Sequence, residues 1–349
     1  MADFSTIKGF NVQTLSADPP APGEGQVWYN TATGTMKAYG LTIGVGAWAS
    51  GGTMTTGRMQ AGASGISQDS ALVFGGTPAG SDATVITESY NGTAWTELAD
   101  LNVPRKSLVG MGTQTAALAC GGVAPPPFPI GPNLQEVEEW NGTSWTETAD
   151  LIRGDTPPVS CSYAGGFGNT TSGMFAGGAD PPNLQLAEQW NGTSWSEGND
   201  LVAGQSYCAG AGTTGDAGII TGGYDSSVKT GMNQEWNATS WTEVGDLNTA
   251  RLMQSGSSGQ GSVTASLCFG GATDAPPVTA KSALTEKWNG TSWTEVADLA
   301  TARHYIIGAG SLTSAIGAGG SPPTPASAYN ITEEWTIPSS FTTKTFTSS

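Results

Sequence analysis

One histidine, His304, four cysteines and 29 acidic residues bound the chemistry open to this 349-residue chain. A single imidazole cannot build a multi-histidine zinc site. Cys120, Cys161, Cys208 and Cys268 form no Cys-x-x-Cys pair, so metal-ligand spacing is missing. Cys120 and Cys268 precede a Gly-Gly, where a small apolar residue suits a buried strand. Carboxylates are plentiful enough for glycoside hydrolysis, which needs two of them flanking one bond. Most, however, recur at matched places: Glu97, Glu147, Glu197, Glu243 and Glu295, then Asp100, Asp150, Asp200, Asp246 and Asp298. A residue present in every unit serves the unit, so the expectation is a non-enzymatic chain with no cofactor and no metal site.

The element that carries those acids is a hairpin. Trp140-Asn141-Gly142-Thr143-Ser144-Trp145 places Asn-Gly, the dipeptide suited to the positive φ angles of a type I′ turn, between residues in strand-like alternation. Residues five apart across the turn share a face, which sets Trp140 beside Trp145. The same spacing recurs at Tyr90/Trp95, Trp190/Trp195, Trp236/Trp241 and Trp288/Trp293. Asn91, Asn141, Asn191, Asn237 and Asn289 also begin Asn-x-Thr sequons, which turn chemistry explains without glycosylation.

Ahead of each hairpin lie two more strand signals. The first is a Gly-dotted run such as Val109-Gly110-Met111-Gly112 or Ile307-Gly308-Ala309-Gly310. The second is a short apolar run ending at Gly76, Gly122, Gly178, Gly223, Gly271 or Gly320. Four strands in roughly 45–50 residues make one propeller blade. Six copies predict an all-β, six-bladed β-propeller of four-stranded blades. Small residues suit strands crowded at a common axis, and paired Trp side chains fill gaps that widen outward. The last aromatic, Trp335, has no Trp five residues on, whereas Trp48 stands alone before the first unit. The ring is therefore expected to close by pairing of the N- and C-terminal segments, Trp48 joining the blade of Trp335; the alternative closing strand is Phe341 to Thr347.

Residues 1–45 stand outside the repeat, 46–340 hold the propeller and 341–349 read as a C-terminal tail. Ser16 to Gly25 is a Pro/Gly linker, and Gln26 to Tyr39 reads as a hairpin turning at Thr33-Gly34. Ile7, Phe10, Val12, Trp28 and Tyr29 are among too few apolar side chains to bury a core alone, so this segment is expected to attach the chain to a partner.

Six Gly-Gly endings, among them Phe74-Gly75-Gly76 and Phe269-Gly270-Gly271, precede an aromatic, a turn and a Trp, with Arg ten residues on at Arg58, Arg105, Arg251 and Arg303. In these features residues 46–340 resemble a kelch-type β-propeller. Asp155 and Gln205 stand where two units lack the Arg, and the turn between the aromatics is shorter than the family's. The four equally placed arginines are expected to pair or hydrogen-bond between neighbouring blades. Propellers of this kind can house a copper oxidase centre, which needs two imidazoles beside tyrosines, and this chain has only His304.

Ile7-Lys8-Gly9-Phe10, the Pro-rich linker, and the run from Gly25 to Tyr39 resemble segments of tail-fibre and other virion surface proteins of tailed bacteriophages, marine ones especially. The resemblance implies a virion structural protein that displays its propeller for host recognition or adhesion, as a tail-fibre, receptor-binding or capsid-decoration component at the virion surface. The alternative is a secreted carbohydrate-binding or glycoside-processing propeller.

Twelve basic against 29 acidic residues give a net charge of −17, which argues against nucleic acid and anionic membranes as partners. No apolar run reaches the length of a membrane span, so no membrane insertion is expected, and Met1-Ala2-Asp3-Phe4 lacks the order of a signal peptide. Partners are sought where the repeat varies. From Gly-Gly to the next aromatic the spacing ranges from 12 to 18 residues, while the hairpin spacing is fixed, so one face carries all the variable loops. Proline stiffens several of them. Phe128, Ile130, Pro181, Tyr224, Pro277 and Pro323 are the candidate contacts for a host receptor, a glycan or a neighbouring copy, with residues 1–45 holding other virion proteins.

Overall fold

The computed structural model describes residues 12–79, 82–125, 133–153, 160–179, 184–225, 228–252, 255–256, 261–274, 280–321 and 329–346. It divides into two units, Gly46–Thr336 and a smaller one that joins Met1–Val45 to Ile337–Ser349. Among the described residues every regular element is a strand.

The larger unit holds six four-stranded antiparallel sheets, a propeller-like all-β fold. The second sheet is typical, running Val109–Gly112, Ala117–Cys120, Val137–Trp140 and Trp145–Glu147. Trp140 pairs directly with Trp145, and the ring centroids lie 5.4 Å apart. The turn between them is not the expected type I′. Of its two central residues only the glycine takes positive φ, +92° at Gly142. Asn141 acts through its side chain instead, its Oδ1 accepting the N–H groups of Thr143 and Ser144 at 2.9 and 3.0 Å.

The first strands pack on one another in succession: Gly62–Ser67 on Val109–Gly112, then Gly165–Gly168, Ala209–Thr214, Ser255–Gly256 and Ile307–Ser311, and the last on Gly62–Ser67. Their backbones come so close that a Cβ on Gly110 would lie 2.3 Å from the carbonyl oxygen of Ala63 in the adjoining sheet. Glycine is therefore the residue that this position can use, while Val109 and Met111 occupy the positions to either side of it. Backbone hydrogen bonds join sheet to sheet as well. The second glycine of each Gly-Gly donates its N–H to a carbonyl of the next crossing segment: Gly76 to Arg105, Gly122 to Cys161, Gly178 to Gln205, Gly223 to Arg251, Gly271 to Arg303 and Gly320 to Arg58, all at 2.8 to 2.9 Å. Gly75, at φ +65°, shows why glycine is needed there, since a Cβ on it would meet Arg105 O at 2.6 Å.

Outer-strand indoles reach across the same boundaries. Trp145 Nε1 donates to Thr87 Oγ1, Trp95 to Thr332 and Trp48 to Thr285, each at 3.0 Å. In two other sheets Val137 and Ala187 occupy the position of those threonines, and the indole N–H groups of Trp195 and Trp241 packed beside them have no partner among the described residues.

Ala47–Ser50 completes the sixth sheet, with Trp48 opposite Trp335. The alternative closing strand lies elsewhere. Ser339–Phe346 pairs along Thr35–Ile43 with Phe341 opposite Leu41, so 341–346 is part of a strand of the smaller unit and not a tail. That unit is a four-stranded sheet in which Gln13–Leu15 runs parallel to Val27–Asn30. Trp28 is its core. It is fully buried, and its indole N–H donates to Asp18 Oδ1 at 3.0 Å, the carboxylate that also accepts from Asn30 and Lys37 at 2.7 Å each.

Candidate functional site

Arg58, Arg105, Arg251 and Arg303 enter their sheets fully buried. Each guanidinium meets the glutamate two residues before the third-strand aromatic: Glu88 at 2.6 Å, Glu138 at 2.9 Å, Glu286 and Glu333 at 3.0 Å. Further Nη groups go to carbonyls of the same sheet, as Arg105 Nη1 does to Gly121 and Glu136, while Nε of Arg58, Arg251 and Arg303 has no partner among the described residues. The expectation of pairing between blades is thereby corrected. The side chain ties a crossing segment to its own sheet, and it is the backbone carbonyl that reaches the neighbour. Burial lowers Arg58 and Arg303 to about 10, opposed by the paired glutamates, so both remain charged at neutral pH.

Two sheets solve the same problem differently. In the third, Cys161 occupies the arginine position, and Arg153 brings its guanidinium from eight residues earlier, Nε lying 2.6 Å from Glu188 with Phe175 beneath it. Asp155, where the sequence pattern seeks the missing arginine, lies outside the described residues. In the fourth, Gln205 faces Gln234. The repeated glutamates at the hairpin ends, such as Glu147, are exposed.

Two residues past the arginine position stands a set that sequence reading missed. Gln60, Ser107, Tyr163, Tyr207 and Tyr305 fill it in five of the sheets, and all five have positive φ, from +51° to +58°. Non-glycine residues seldom adopt that conformation, which costs about 1–3 kcal/mol each and persists only where neighbours enforce it. Here backbone bonds between sheets enforce it: Ser107 N–H donates to Gln60 O at 2.7 Å, Tyr163 to Ser107 at 3.1 Å and Tyr207 to Tyr163 at 2.7 Å. An aromatic residue carries no sequence signal for positive φ, and only Gln60, Ser107 and Tyr305 stand two residues after an arginine, so the set is not legible in the sequence.

These side chains line a cavity of about 120 Å³ where the first strands begin. Tyr163 and Tyr207 lie 4.1 Å apart between ring centroids, Tyr305 is 6.4 Å from Tyr163, and Gln60 Nε2 donates to the Tyr163 hydroxyl at 3.2 Å. Burial pushes Tyr207 up to about 12 and Tyr305 further, with neighbouring tyrosines adding to both, so these phenols stay neutral. Ser107 is 7% exposed and its Oγ has no partner among the described residues. No lysine or arginine lines the cavity among the described residues. His304 packs against Tyr305 at 4.7 Å, and burial, with Lys281 adding, holds it down to about 4.

Of the loop residues expected to make contacts, only Tyr224 lies among the described residues; Phe128, Ile130, Pro181, Pro277 and Pro323 fall outside them. Tyr224 is not on a free loop. It sits in the strand Ala217–Asp225, which pairs with Val228–Trp236 past the Gly-Gly, and its N–H donates to Ser206 at 2.7 Å. In the smaller unit Val12 and Tyr29 are exposed, whereas Trp28 serves the interior and cannot face a partner. Ile7 and Phe10 fall outside the described residues. No disulfide joins the four cysteines, of which Cys120, Cys161 and Cys268 are buried and Cys208 partly so.

No family model and no curated protein matches this chain. Among solved structures it is similar to that of YjhT, a propeller-like protein, with a TM-score of 0.64 at 12% sequence identity over 80% of this chain and 95% of that one. A likeness at that identity speaks to the fold alone.

Proposed function

We propose that the larger unit is a closed, six-bladed propeller of kelch type and that the chain is a non-enzymatic recognition component of a phage virion surface. Closure is supported by three relationships that agree: the Gly-Gly hydrogen bonds pass from sheet to sheet and from Gly320 to Arg58, the first strands pack in the same cycle, and Trp48 pairs with Trp335.

The recognition reading is carried by one observation. The repeated arginines and their glutamates are taken up in holding the sheets, while the strained residues, three tyrosines with Gln60 and Ser107, line a cavity that among the described residues offers shape and phenol groups but no charged acid or base. Such a site binds. Attachment falls to the smaller unit, where Leu41, Ile43, Val45, Phe341 and Phe346 expose apolar surface that another virion protein would cover. Placement on a virion draws its support from the resemblance of residues 1–45 to phage tail-fibre segments. The test is to substitute Leu41→Asp together with Ile43→Asp in the full chain and to assay purified particles. The doubly substituted protein should fold and stay behind in the lysate; its normal incorporation would place attachment elsewhere.

A further inference from the structure

We infer that the cavity between Tyr163, Tyr207 and Tyr305 takes one neutral pyranose, the terminal sugar of a glycan. The inference rests on the recognition reading and names its ligand.

A pyranose has an apolar face of C–H groups and a rim of hydroxyls. A tyrosine answers both, with a flat ring for the face and a phenol for the rim. Three such rings converge here, two of them 4.1 Å apart. Ser107 borders the same cavity, but its Oγ is buried away from it, so the polar contacts open to a ligand are the phenols and the Gln60 amide. The strained backbone at five equivalent positions argues the same way, because residues forced to positive φ around one cavity are held there against their preference. A volume of about 120 Å³ suits a single ring whose chain leaves through the mouth.

Charge selects among sugars. With no lysine or arginine in the lining described here, a carboxylated, sulfated or phosphorylated sugar would enter without a counter-charge, against a protein of net charge −17. Flat aromatic ligands could stack on tyrosine as well, but they lack the ring of hydroxyl groups that the phenols and Gln60 are placed to meet.

Saturation-transfer NMR on the full chain tests this, using the methyl glycosides of glucose, galactose, mannose and N-acetylglucosamine, with glucuronic acid and adenosine as competitors of other chemistry. At least one neutral glycoside should receive saturation and glucuronic acid and adenosine should not. Tyr163→Phe, which keeps the ring and removes the phenol, should weaken that binding about five- to tenfold, the loss of one hydrogen bond. Tyr207→Leu should abolish it. The inference is overturned if no neutral glycoside binds, if glucuronic acid or adenosine binds more strongly, or if Tyr163→Phe binds as the parent does. Sugar binding by a protein absent from particles would leave this site standing and remove the virion reading. Particles whose adhesion to host cells is unaltered by Tyr207→Leu would do the reverse.

Discussion

Gln205 and Gln234 hold, in the fourth sheet, the two positions that an arginine and a glutamate hold in four others. Gln234 donates to Gln205 Oε1, while Gln205 Nε2 donates to Gly222 O at 2.8 Å and Met232 O at 3.1 Å. A neutral network thus fills the space of a buried ion pair, and the two substitutions make sense only together.

That coupling can be measured. Gln205→Arg alone buries a charge with no carboxylate to meet it and should destabilise by about 3–5 kcal/mol, the penalty typical of a broken buried pair. Adding Gln234→Glu should restore most of the loss, giving a large coupling energy in a double-mutant cycle followed by urea unfolding. Additive effects would show that the positions do not form a pair.

The indole bonds give a second, independent check. Thr87→Val leaves the buried N–H of Trp145 without its acceptor and should cost about 1–3 kcal/mol. Val137→Thr offers Trp195 the acceptor it lacks and should gain up to about 1 kcal/mol. Thermal unfolding of both proteins reads the two signs, and a destabilised Val137→Thr would contradict the geometry.

His304 predicts a pH dependence. Its folded pKa is depressed from 6.5 to about 4, so the unfolded chain takes up the proton first as pH falls. The stability due to the neutral imidazole is therefore present above pH 6.5 and lost toward pH 4, on the order of 3 kcal/mol at most at 1.36 kcal/mol per unit. His304→Asn should flatten the loss between pH 6.5 and 5, where few carboxylates titrate. Parallel curves for parent and variant would remove His304 as the cause.

Pairing of Ala47–Ser50 with the sixth sheet predicts that deleting residues 46–57 exposes the edge of Thr332–Thr336 and uncovers Trp335. Melting temperature should drop sharply and light scattering should rise. Unchanged melting would mean that this strand does not hold the sheet.

Much of this was legible in the sequence, for identifiable reasons. The aromatic pairing at Trp140/Trp145 follows from local alternation around Asn-Gly, and the pairing of Trp48 with Trp335 follows from counting strands. What was lost is what local pattern does not encode. Arg153 reaches Glu188 from a place where the repeat puts no arginine. Ser339–Phe346 pairs with Thr35–Ile43 across nearly the whole chain, so neither end alone announced a four-stranded sheet. Tyr163, Tyr207 and Tyr305 look like ordinary aromatics until the backbone shows them turned to positive φ around one cavity.

As a proposed recognition module of a virion, this chain must travel with the particle. The most direct measurement is a quantitative protein inventory of gradient-purified phage particles. The account predicts this chain at a fixed copy number per particle, retained through high-salt washing; its presence in the lysate alone, with none on the particles, would contradict it.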